Sequence, residues 1–197
     1  MEITNVMIME LRKQTKAGIM DCKNALKESF GDVEKAQKIL REKGILKMQE
    51  RRDRLSDEGQ IYAYIHPGGK VGVLVEISCE TDFVSRSEEF QKLLKETALQ
   101  CAGMKPAYID RENVPAEVIE EEKTLLMKSA DLAKKPANMV EKILEGKLSK
   151  FYEITCLMEQ PYFRDEKTKF RNYFNVAASS FGEAVAVKRF IRYEIGQ

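Results

Sequence analysis

The sequence VGVLVEISCETDFVSRSEEFQKLLKETALQC at residues 71–101 decides the fold, because two hydrophobic rhythms meet within it. In residues 71–79 apolar side chains recur at every second position, which predicts a strand with one apolar face. In residues 90–101 they recur at the spacing of an amphipathic helix. Ser85 stands three residues before Glu88, the spacing of a capping box, so we expect Ser85 to cap this helix.

The connection between strand and helix, Glu-Thr-Asp-Phe-Val at residues 80–84, combines two acids with two large apolar side chains. A segment that only joins two elements is usually polar. Glu80 and Asp82 have a spacing that could pair two carboxylates for acid–base chemistry, but nothing else in the sequence supplies a substrate pocket. We therefore interpret the connection as a binding element. For Phe83, the residue pattern alone favours packing into the core of its own domain.

Composition and charge limit the classes of function. The chain has 197 residues, of which 43% are hydrophobic and 33% charged, and its net charge is +1. A nearly neutral chain has no overall electrostatic attraction to nucleic acid or to anionic membranes. No apolar run reaches the roughly 18 residues that span a bilayer, and the N-terminus lacks the apolar core of a secretory signal. We expect a cytoplasmic protein that binds neither membrane nor nucleic acid directly.

Cysteine and histidine usage argues against a metal site. The cysteines, at positions 22, 79, 101 and 156, lie far apart, and His66 is the single histidine. Zinc sites need clustered pairs of ligands, which this spacing lacks. Cys79 and Cys101 lie on apolar faces, which is typical of buried free thiols, and the cysteine usage as a whole favours a reducing compartment. His66 has no partner placed for catalysis, so we interpret it as a surface residue, and we expect no metal, no cofactor and no covalent chemistry.

Glycine positions and charge density divide the chain into three predicted parts. Residues 1–46 read as three short helices, with Gly31 ending the second and Gly44 ending the third. Residues 47–58 are dense in charge and predict a linker, with a solvated helix as the alternative. Residues 59–197 predict an α+β core in which helices pack on a small antiparallel sheet of about three strands.

Helical spacing predicts the inward faces of the first two helices, and polar residues predict where two of the helices begin. Thr4 is expected to cap the first helix and Asp32 the third. The residues predicted to face inward are Ile8 and Leu11 in the first helix, and Ile19, Cys22, Leu26 and Phe30 in the second.

The predicted sheet combines two distant parts of the chain. Residues 61–65 and 71–79 flank a Pro-Gly-Gly turn and predict a hairpin, and the alternation in residues 185–195 predicts a third strand beside it. Helices are expected to cover one face, while Phe190 and the tyrosines of the first strand leave the second face partly apolar. Such a face favours a partner or a second copy of the chain.

The strings that carry a family likeness cover the chain in order. The most characteristic is ETDFVSR at residues 80–86, and the others lie at residues 11–44, 135–161 and 185–196. On these strings the chain resembles the bacterial elongation factor Ts family, whose members act as guanine nucleotide exchange factors for elongation factor Tu. With room for a single core module, it is similar to the short form of that family, in which a homodimer supplies the second half of the core.

The resemblance implies both a fold and a mode of action. It implies that the N-terminal helices form a module similar to ubiquitin-associated domains. It also implies that the connection after the first hairpin enters the GTPase near its Mg²⁺ and phosphate site. The implied partner-binding residues are Thr81, Asp82, Phe83 and Val84 in the connection, and Arg12, Ile19 and Met20 in the N-terminal domain.

Two other functions remain open from the residues alone. Arg51, Arg52 and Arg54 in the charged segment could contact RNA in a translation or decay factor, although acids interleave with them and weaken the local field. The three-helix part could instead be a peptide-binding adaptor without exchange activity. Ile19 and Met20 are adjacent on a helix, so at least one of them is expected to be exposed and available to a partner.

Overall fold

The chain folds as an α+β protein, as its residue pattern predicts, in a computed structural model that describes residues 3–15, 17–51, 56–128 and 137–196. The elements are α1 (Asn5–Thr15), α2 (Ile19–Glu28), α3 (Val33–Arg51), β1 (Glu58–Ile65), β2 (Val71–Cys79), α4 (Asp82–Ser85), α5 (Glu88–Met104), a 3-10 turn (Arg111–Asn113), α6 (Ala116–Met127), α7 (Ala137–Thr155), β3 (Pro161–Tyr162), β4 (Asp165–Lys169), α8 (Phe170–Ser179) and β5 (Ala186–Glu194).

Backbone contacts divide the chain into two compact units, each built from separate stretches of sequence. The predicted division into residues 1–46, 47–58 and 59–197 rests on composition and stays a prediction. Unit 1 comprises residues 1–60, 77–93 and 174–188, and unit 2 comprises residues 61–76, 94–173 and 189–197.

The three N-terminal helices pack around an apolar core within unit 1. The backbone N–H of Lys35 donates to Oδ1 of Asp32 at 3.0 Å, which confirms Asp32 as the cap of α3. Gly31 has a φ of 86°, the left-handed conformation predicted for it after α2. The core side chains are Ile8, Leu11, Cys22, Ala25, Leu26, Ala36 and Leu40.

Two residues predicted to face inward on the second helix are exposed, so that part of the prediction is wrong. Ile19 is 49% exposed because it is the first residue of α2, where the helix has not yet reached the core. Phe30 is 87% exposed because it lies beyond the last turn of α2 in a left-handed conformation with a φ of 54°. Ala25, which is buried, completes the inward stripe beside Cys22 and Leu26.

The prediction that Gly44 ends the third helix is also wrong. Helix α3 runs through Gly44 and ends at Arg51, inside the segment predicted as a linker. A Cβ atom at Gly44 would lie 3.0 Å from Cβ of Ser179, a residue of the same unit. Glycine at this position therefore accommodates the close approach of Ser179 and does not end the helix.

The three-stranded sheet has the order β1-β2-β5, as predicted from the hairpin and the terminal alternation. The N–H of Ile195 donates to the carbonyl of Lys70 at 3.0 Å, and Oγ of Ser78 donates to the carbonyl of Ala186 at 3.4 Å. The start of β2 therefore faces the end of β5, which makes the pair antiparallel. The buried apolar side chains of the central strand are Val73, Val75, Ile77 and Cys79.

The exposed apolar face of this sheet differs from the predicted one. Arg192 turns toward α5, where its Nε donates to the carbonyl of Ala102 at 3.3 Å, and Phe190 lies on the same side of β5. Tyr62 and Tyr64 are partly buried, whereas Ile61 and Ile65 are exposed, so the prediction that Phe190 and the tyrosines of the first strand form the open face is wrong. The exposed sheet face consists of Ile61, Ile65, Leu74, Ile191, Tyr193 and Ile195, all in unit 2.

Unit 2 also contains a small antiparallel sheet, β3-β4, that the residue pattern did not predict. β3 has only two residues and β4 contains no apolar residue, so neither strand shows a hydrophobic alternation. Charged and aromatic contacts stabilise it, because Arg164 binds both carboxylate oxygens of Glu96 at 2.7 and 2.9 Å. The hydroxyl of Tyr162 donates to the same carboxylate at 2.6 Å, and the ring of Tyr162 stacks on Tyr173 with centroids 4.3 Å apart.

All four cysteines are free and buried, which confirms the prediction made for Cys79 and Cys101 from their place on apolar faces. Burial raises the pKa of the Cys101 thiol to about 12. Burial also raises the pKa of Cys79 and of Cys156, with smaller contributions from the carboxylates of Glu183 and Asp110 respectively. These three thiols therefore stay protonated near neutral pH, which makes them poor nucleophiles.

Candidate functional site

The connection after β2 is a single, tightly bonded helical turn, α4, rather than an open loop. Thr81 is the N-cap, and its Oγ1 accepts the backbone N–H of Val84 at 3.5 Å. At the other end of the turn Ser85 is buried, and its hydroxyl donates to the carbonyl of Asp82 at 2.9 Å. The backbone of this turn is therefore fixed by hydroxyl groups at both ends.

The cap of the following helix is Ser87, so the prediction that Ser85 caps it is wrong. The backbone N–H of Phe90 donates to Oγ of Ser87 at 3.3 Å. The same hydroxyl donates to the carbonyl of Val84 at 2.7 Å. Ser87 thus links the end of α4 to the start of α5, and almost no chain lies between these two helices.

Phe83 projects from this turn into solvent with 85% of its surface exposed. The alternative that Phe83 packs into the core of its own domain is therefore wrong. Val84 is partly buried, and Asp82 forms an ion pair with Arg86 at 3.1 Å. The turn presents one aromatic ring flanked by an acid whose side chain is 43% exposed.

A distant acid, Glu183, binds the start of the turn. Its Oε2 accepts the backbone N–H groups of Glu80 at 3.2 Å and of Thr81 at 3.0 Å, and its Oε1 accepts the hydroxyl of Thr81 at 2.7 Å. In return, the N–H of Ala184 donates to Oε1 of Glu80 at 2.7 Å. Sequence reasoning missed Glu183 because 102 positions separate it from Thr81, and no local spacing signals the contact.

The two acids of the connection do not form a catalytic pair. The carboxylate of Glu80 accepts the amide of Ala184, whereas that of Asp82 binds Arg86. Each carboxylate is thus directed to a different neighbour, and shared-proton chemistry needs two that face each other. The arrangement orders the backbone and offers a side chain to a partner, which is what a binding element requires.

The N-terminal residues implied as partner contacts are accessible. Arg12 is exposed on α1, and Ile19 and Met20 begin α2 with 49% and 64% of their surfaces exposed. Because Ile19 and Met20 are adjacent on a helix, at least one of them was expected to be exposed, and the structure shows that both are. They belong to unit 1, as does the α4 turn.

A cavity of about 500 Å³ opens within unit 1. Its lining includes Gly18, which precedes the exposed start of α2, and Gly182, which precedes Glu183. Lys38 and Arg41 contribute positive charge, and Asp21 contributes negative charge. Its charges are mixed, so they single out no ligand class.

Most of the residues on which the RNA-binding alternative rests lie outside the described part of the chain. Arg51 is the last residue of α3, whereas Arg52 and Arg54 lie outside the described residues. His66 is exposed at the hairpin turn, and its Nδ1 lies 2.9 Å from the hydroxyl of Tyr64. Within residues 3–15, 17–51, 56–128 and 137–196, no helix is long and apolar enough to cross a membrane, and no group of three or more potential ligands is placed to hold a metal ion.

Known proteins match this chain along its full length. The profile of the family described as Elongation factor TS matches residues 3–197. A protein named Elongation factor Ts from Thermotoga sp. (strain RQ2) is 50% identical over 197 residues, covering 100% of this chain and 98% of the relative. The protein of the same name from Coprothermobacter proteolyticus is 46% identical over 197 residues, covering 100% of both. The match extends over the α4 turn and the N-terminal helices alike.

Proposed function

The chain belongs to the elongation factor Ts family, and we propose that it acts as a guanine nucleotide exchange factor for elongation factor Tu. Membership of this family implies a role in nucleotide exchange during translation elongation, without covalent chemistry by the factor itself. The observation that supports the proposal best is Phe83, which is 85% exposed on a turn whose backbone is held at both ends.

Exchange is a matter of differential binding. A translational GTPase holds GDP through the backbone amides of its phosphate loop and through a Mg²⁺ ion. An exchange factor must bind the nucleotide-free GTPase more tightly than the GDP-bound form. The coupling is reciprocal: bound exchange factor lowers the affinity of the GTPase for GDP, and bound GDP lowers its affinity for the exchange factor by the same ratio. In this proposal, the chain contributes binding energy and geometry, and the metal belongs to the GTPase.

In the proposed complex, the α4 turn enters the GTPase beside its Mg²⁺ and phosphate site. Phe83 fills an apolar pocket between helices of the partner, and Thr81 and Val84 carry the turn on which it stands. Asp82 brings a carboxylate that competes for the groups that order the metal site. A buried aromatic anchor of this kind contributes roughly 2–4 kcal/mol to binding. Since Phe83 buries little of its surface in its own chain, nearly all of this gain is available on binding.

A second contact comes from the N-terminal helices. Ile19 and Met20 offer apolar surface, and Arg12 offers a guanidinium group that can form bidentate hydrogen bonds with a carboxylate. Two separated contacts from one compact unit restrict the orientation in which the α4 turn can approach. The N-terminal contact therefore favours the correct encounter, while the turn does the displacement.

The test is release of a fluorescent GDP analogue from the purified GTPase. The wild-type chain is expected to accelerate release, and Phe83→Ala is expected to slow the stimulated release while its circular dichroism and melting temperature stay near wild type. Release at the intrinsic rate in the presence of bound wild-type chain would identify an adaptor instead. Steeply salt-dependent binding to tRNA or rRNA without the GTPase would favour the RNA-binding alternative.

A second copy of the chain is the other proposed partner. The exposed sheet face of unit 2 carries six apolar side chains that are between 43% and 75% exposed. Exposed apolar side chains gathered on one sheet face are typical of an interface, and the sheet of a second copy has a face of the same chemistry. A homodimer would cover both faces. Sedimentation should show a dimer for the wild type and a monomer for Ile191→Glu, whereas a wild-type monomer would contradict the proposal.

The site of action follows from the partner. A factor that exchanges nucleotide on a translational GTPase must work where ribosomes translate, so the proposed location is the cytoplasm. No direct contact with nucleic acid is part of this mechanism, because the net charge of +1 provides no general attraction to it.

A further inference from the structure

We propose that Glu183 is a positioning residue for nucleotide exchange, because its carboxylate holds the backbone from which Phe83 projects. The inference rests on the proposed function and adds to it a residue outside the connection itself. Glu183 lies between α8 and β5, and its side chain is only partly exposed. It is assigned no contact with the GTPase and acts through the α4 turn.

The first step is the geometry of the carboxylate. Both of its oxygens accept hydrogen bonds from the two residues that precede α4, at distances of 2.7 to 3.2 Å. Hydrogen bonds to an ionised acceptor are shorter and roughly twice as strong as neutral ones. The hydroxyl of Thr81 donates to Glu183 and at the same time accepts from the N–H of Val84, so the acid orients the very group that caps the turn.

The second step is that Glu183 is itself held. Gly182 before it has a φ of 74°, a conformation that favours glycine. Ala184 after it is buried, and its N–H donates to Oε1 of Glu80 at 2.7 Å. Two short segments, one before α4 and one before β5, thus bind each other reciprocally through the side chains of Glu80 and Glu183.

The carboxylate of Glu183 affects exchange through the direction in which Phe83 projects. Phe83 is 85% exposed, so its direction is set by the backbone of α4 and hardly at all by packing of its ring. A helical turn of four residues is not stable alone, because one turn fixes several dihedral angles for very few hydrogen bonds. An external acceptor that orders the turn before binding removes an entropic cost from association. Glu183 supplies that acceptor.

The proposal predicts a specific kinetic change. Glu183→Ala is expected to raise the concentration of chain that gives half-maximal GDP release about tenfold, because the turn must then be ordered during binding. The maximal rate is expected to stay within about twofold of wild type, since the docked turn is the same. Glu183→Gln keeps a carbonyl acceptor for the two amides but loses the charge, so it should limit the rise in the half-maximal concentration to about threefold.

A double-mutant cycle separates positioning from general stability. If Glu183 acts through Phe83, then adding Glu183→Ala to Phe83→Ala should change the half-maximal concentration by less than about twofold. A general loss of stability would instead persist in that background. Glu28→Ala is the matched control, because it removes an acid that forms an ion pair with Lys43 elsewhere in unit 1, and it should leave exchange unchanged.

The outcomes divide clearly between the inference and the function it rests on. If Phe83→Ala slows exchange and Glu183→Ala does not, the inference is wrong and the proposed function stands. If Phe83→Ala behaves as wild type, the role of Phe83 fails, and the inference fails with it. If Glu183→Ala loses its melting transition, Glu183→Gln decides: a rise of about threefold that disappears with Phe83→Ala supports the inference, and any other result overturns it.

Discussion

Two phenylalanines of unit 1 are exposed to nearly the same degree on backbones that are built differently. Phe83 is 85% exposed on a right-handed turn, and Phe30 is 87% exposed with a φ of 54° at the end of α2. The turn at Phe30 is closed by bonds within the same few residues, such as that from the N–H of Gly31 to the carbonyl of Leu26 at 2.8 Å. The turn at Phe83 is held in addition by Glu183, 102 positions from Thr81.

This difference shows that exposure alone does not identify a binding residue. The turn at Phe30 ends a helix. Phe30 itself adopts the left-handed conformation, which costs conformational free energy in any residue with a side chain, and this cost belongs to the reversal of the chain. The turn at Phe83 has no strained residue and receives interactions from a distant segment. An aromatic ring that is both exposed and rigidly mounted binds at lower entropic cost than one on a simple helix end. We therefore expect exchange to depend on Phe83 and to be indifferent to Phe30.

The largest expected effect is on exchange itself. Phe83→Ala should lower the efficiency of stimulated GDP release about 30-fold, which corresponds to about 2 kcal/mol of lost interaction with the partner. Phe30→Ala, the matched control, should change it by less than about twofold, because the ring removed is equally exposed but has no assigned partner. Stopped-flow fluorescence with both variants measures the ratio. Equal losses at the two positions would show that exposed apolar surface, and not the mounting, determines activity.

The second largest expected effect is on stability, and replacement by asparagine at Phe30 and at Phe83 distinguishes the two turns. Phe30→Asn should raise the free energy of unfolding by about 1 kcal/mol, because asparagine tolerates the left-handed conformation better than phenylalanine. Phe83→Asn should leave stability nearly unchanged, because the two residues have similar helix propensities and the ring is exposed. Urea denaturation measures both. A loss of stability in Phe83→Asn would mean that the ring packs on its own chain in solution.

Much of the fold could be predicted because the relevant signals are local. The rhythms of residues 71–79 and 185–195 predicted strands that the structure confirms as β2 and β5, and Asp32 and Gly31 have the cap and turn roles predicted for them. The errors have physical causes. Gly44 reads as a helix end in sequence, but its small size serves a close approach to Ser179, which only tertiary structure reveals.

The candidate site was predicted less completely, because its geometry is non-local. The residue pattern of the acid–apolar connection alone favours burial of Phe83, and only the folded structure shows that the ring is exposed. Glu183 carries no signal in its own neighbourhood. The open face of the sheet was misassigned because Arg192 can direct its guanidinium to the carbonyl of Ala102 and so turn toward α5. Alternation gives the period of a strand, but it does not decide which face the helices cover.

A smaller effect distinguishes the two turns by pH. The hydrogen bond from the backbone N–H of Lys35 holds the pKa of Asp32, the cap next to the Phe30 turn, below its ordinary value of 3.8. Because the folded-state pKa is depressed, the stability contributed by Asp32 is complete above pH 3.8 and is lost as pH falls through the lower value. Asparagine also caps helices but does not titrate. The melting-temperature advantage of wild type over Asp32→Asn should therefore shrink in acid.

The control for this experiment comes from the other turn. Thr81→Ser keeps a capping hydroxyl, which does not titrate in this range, so its melting-temperature difference from wild type should be the same at every pH. If the melting-temperature difference between wild type and Asp32→Asn also stayed constant with pH, Asp32 would stabilise the fold through its hydrogen bond alone and its charge would contribute nothing.

The smallest expected effect is that of the ion pair on the exchange turn. Arg86 and Asp82 lie 3.1 Å apart with 76% and 43% of their side chains exposed, so solvent screens their attraction. Arg86→Ala should lower the free energy of unfolding by no more than about 0.5 kcal/mol, and the difference should disappear in about 0.5 M salt. Exchange should be unchanged, because Asp82 keeps its carboxylate and Glu183 still holds the turn. A large loss of exchange with normal stability would instead make Arg86 a contact of the GTPase, and the functional surface would then extend from Phe83 along the start of α5.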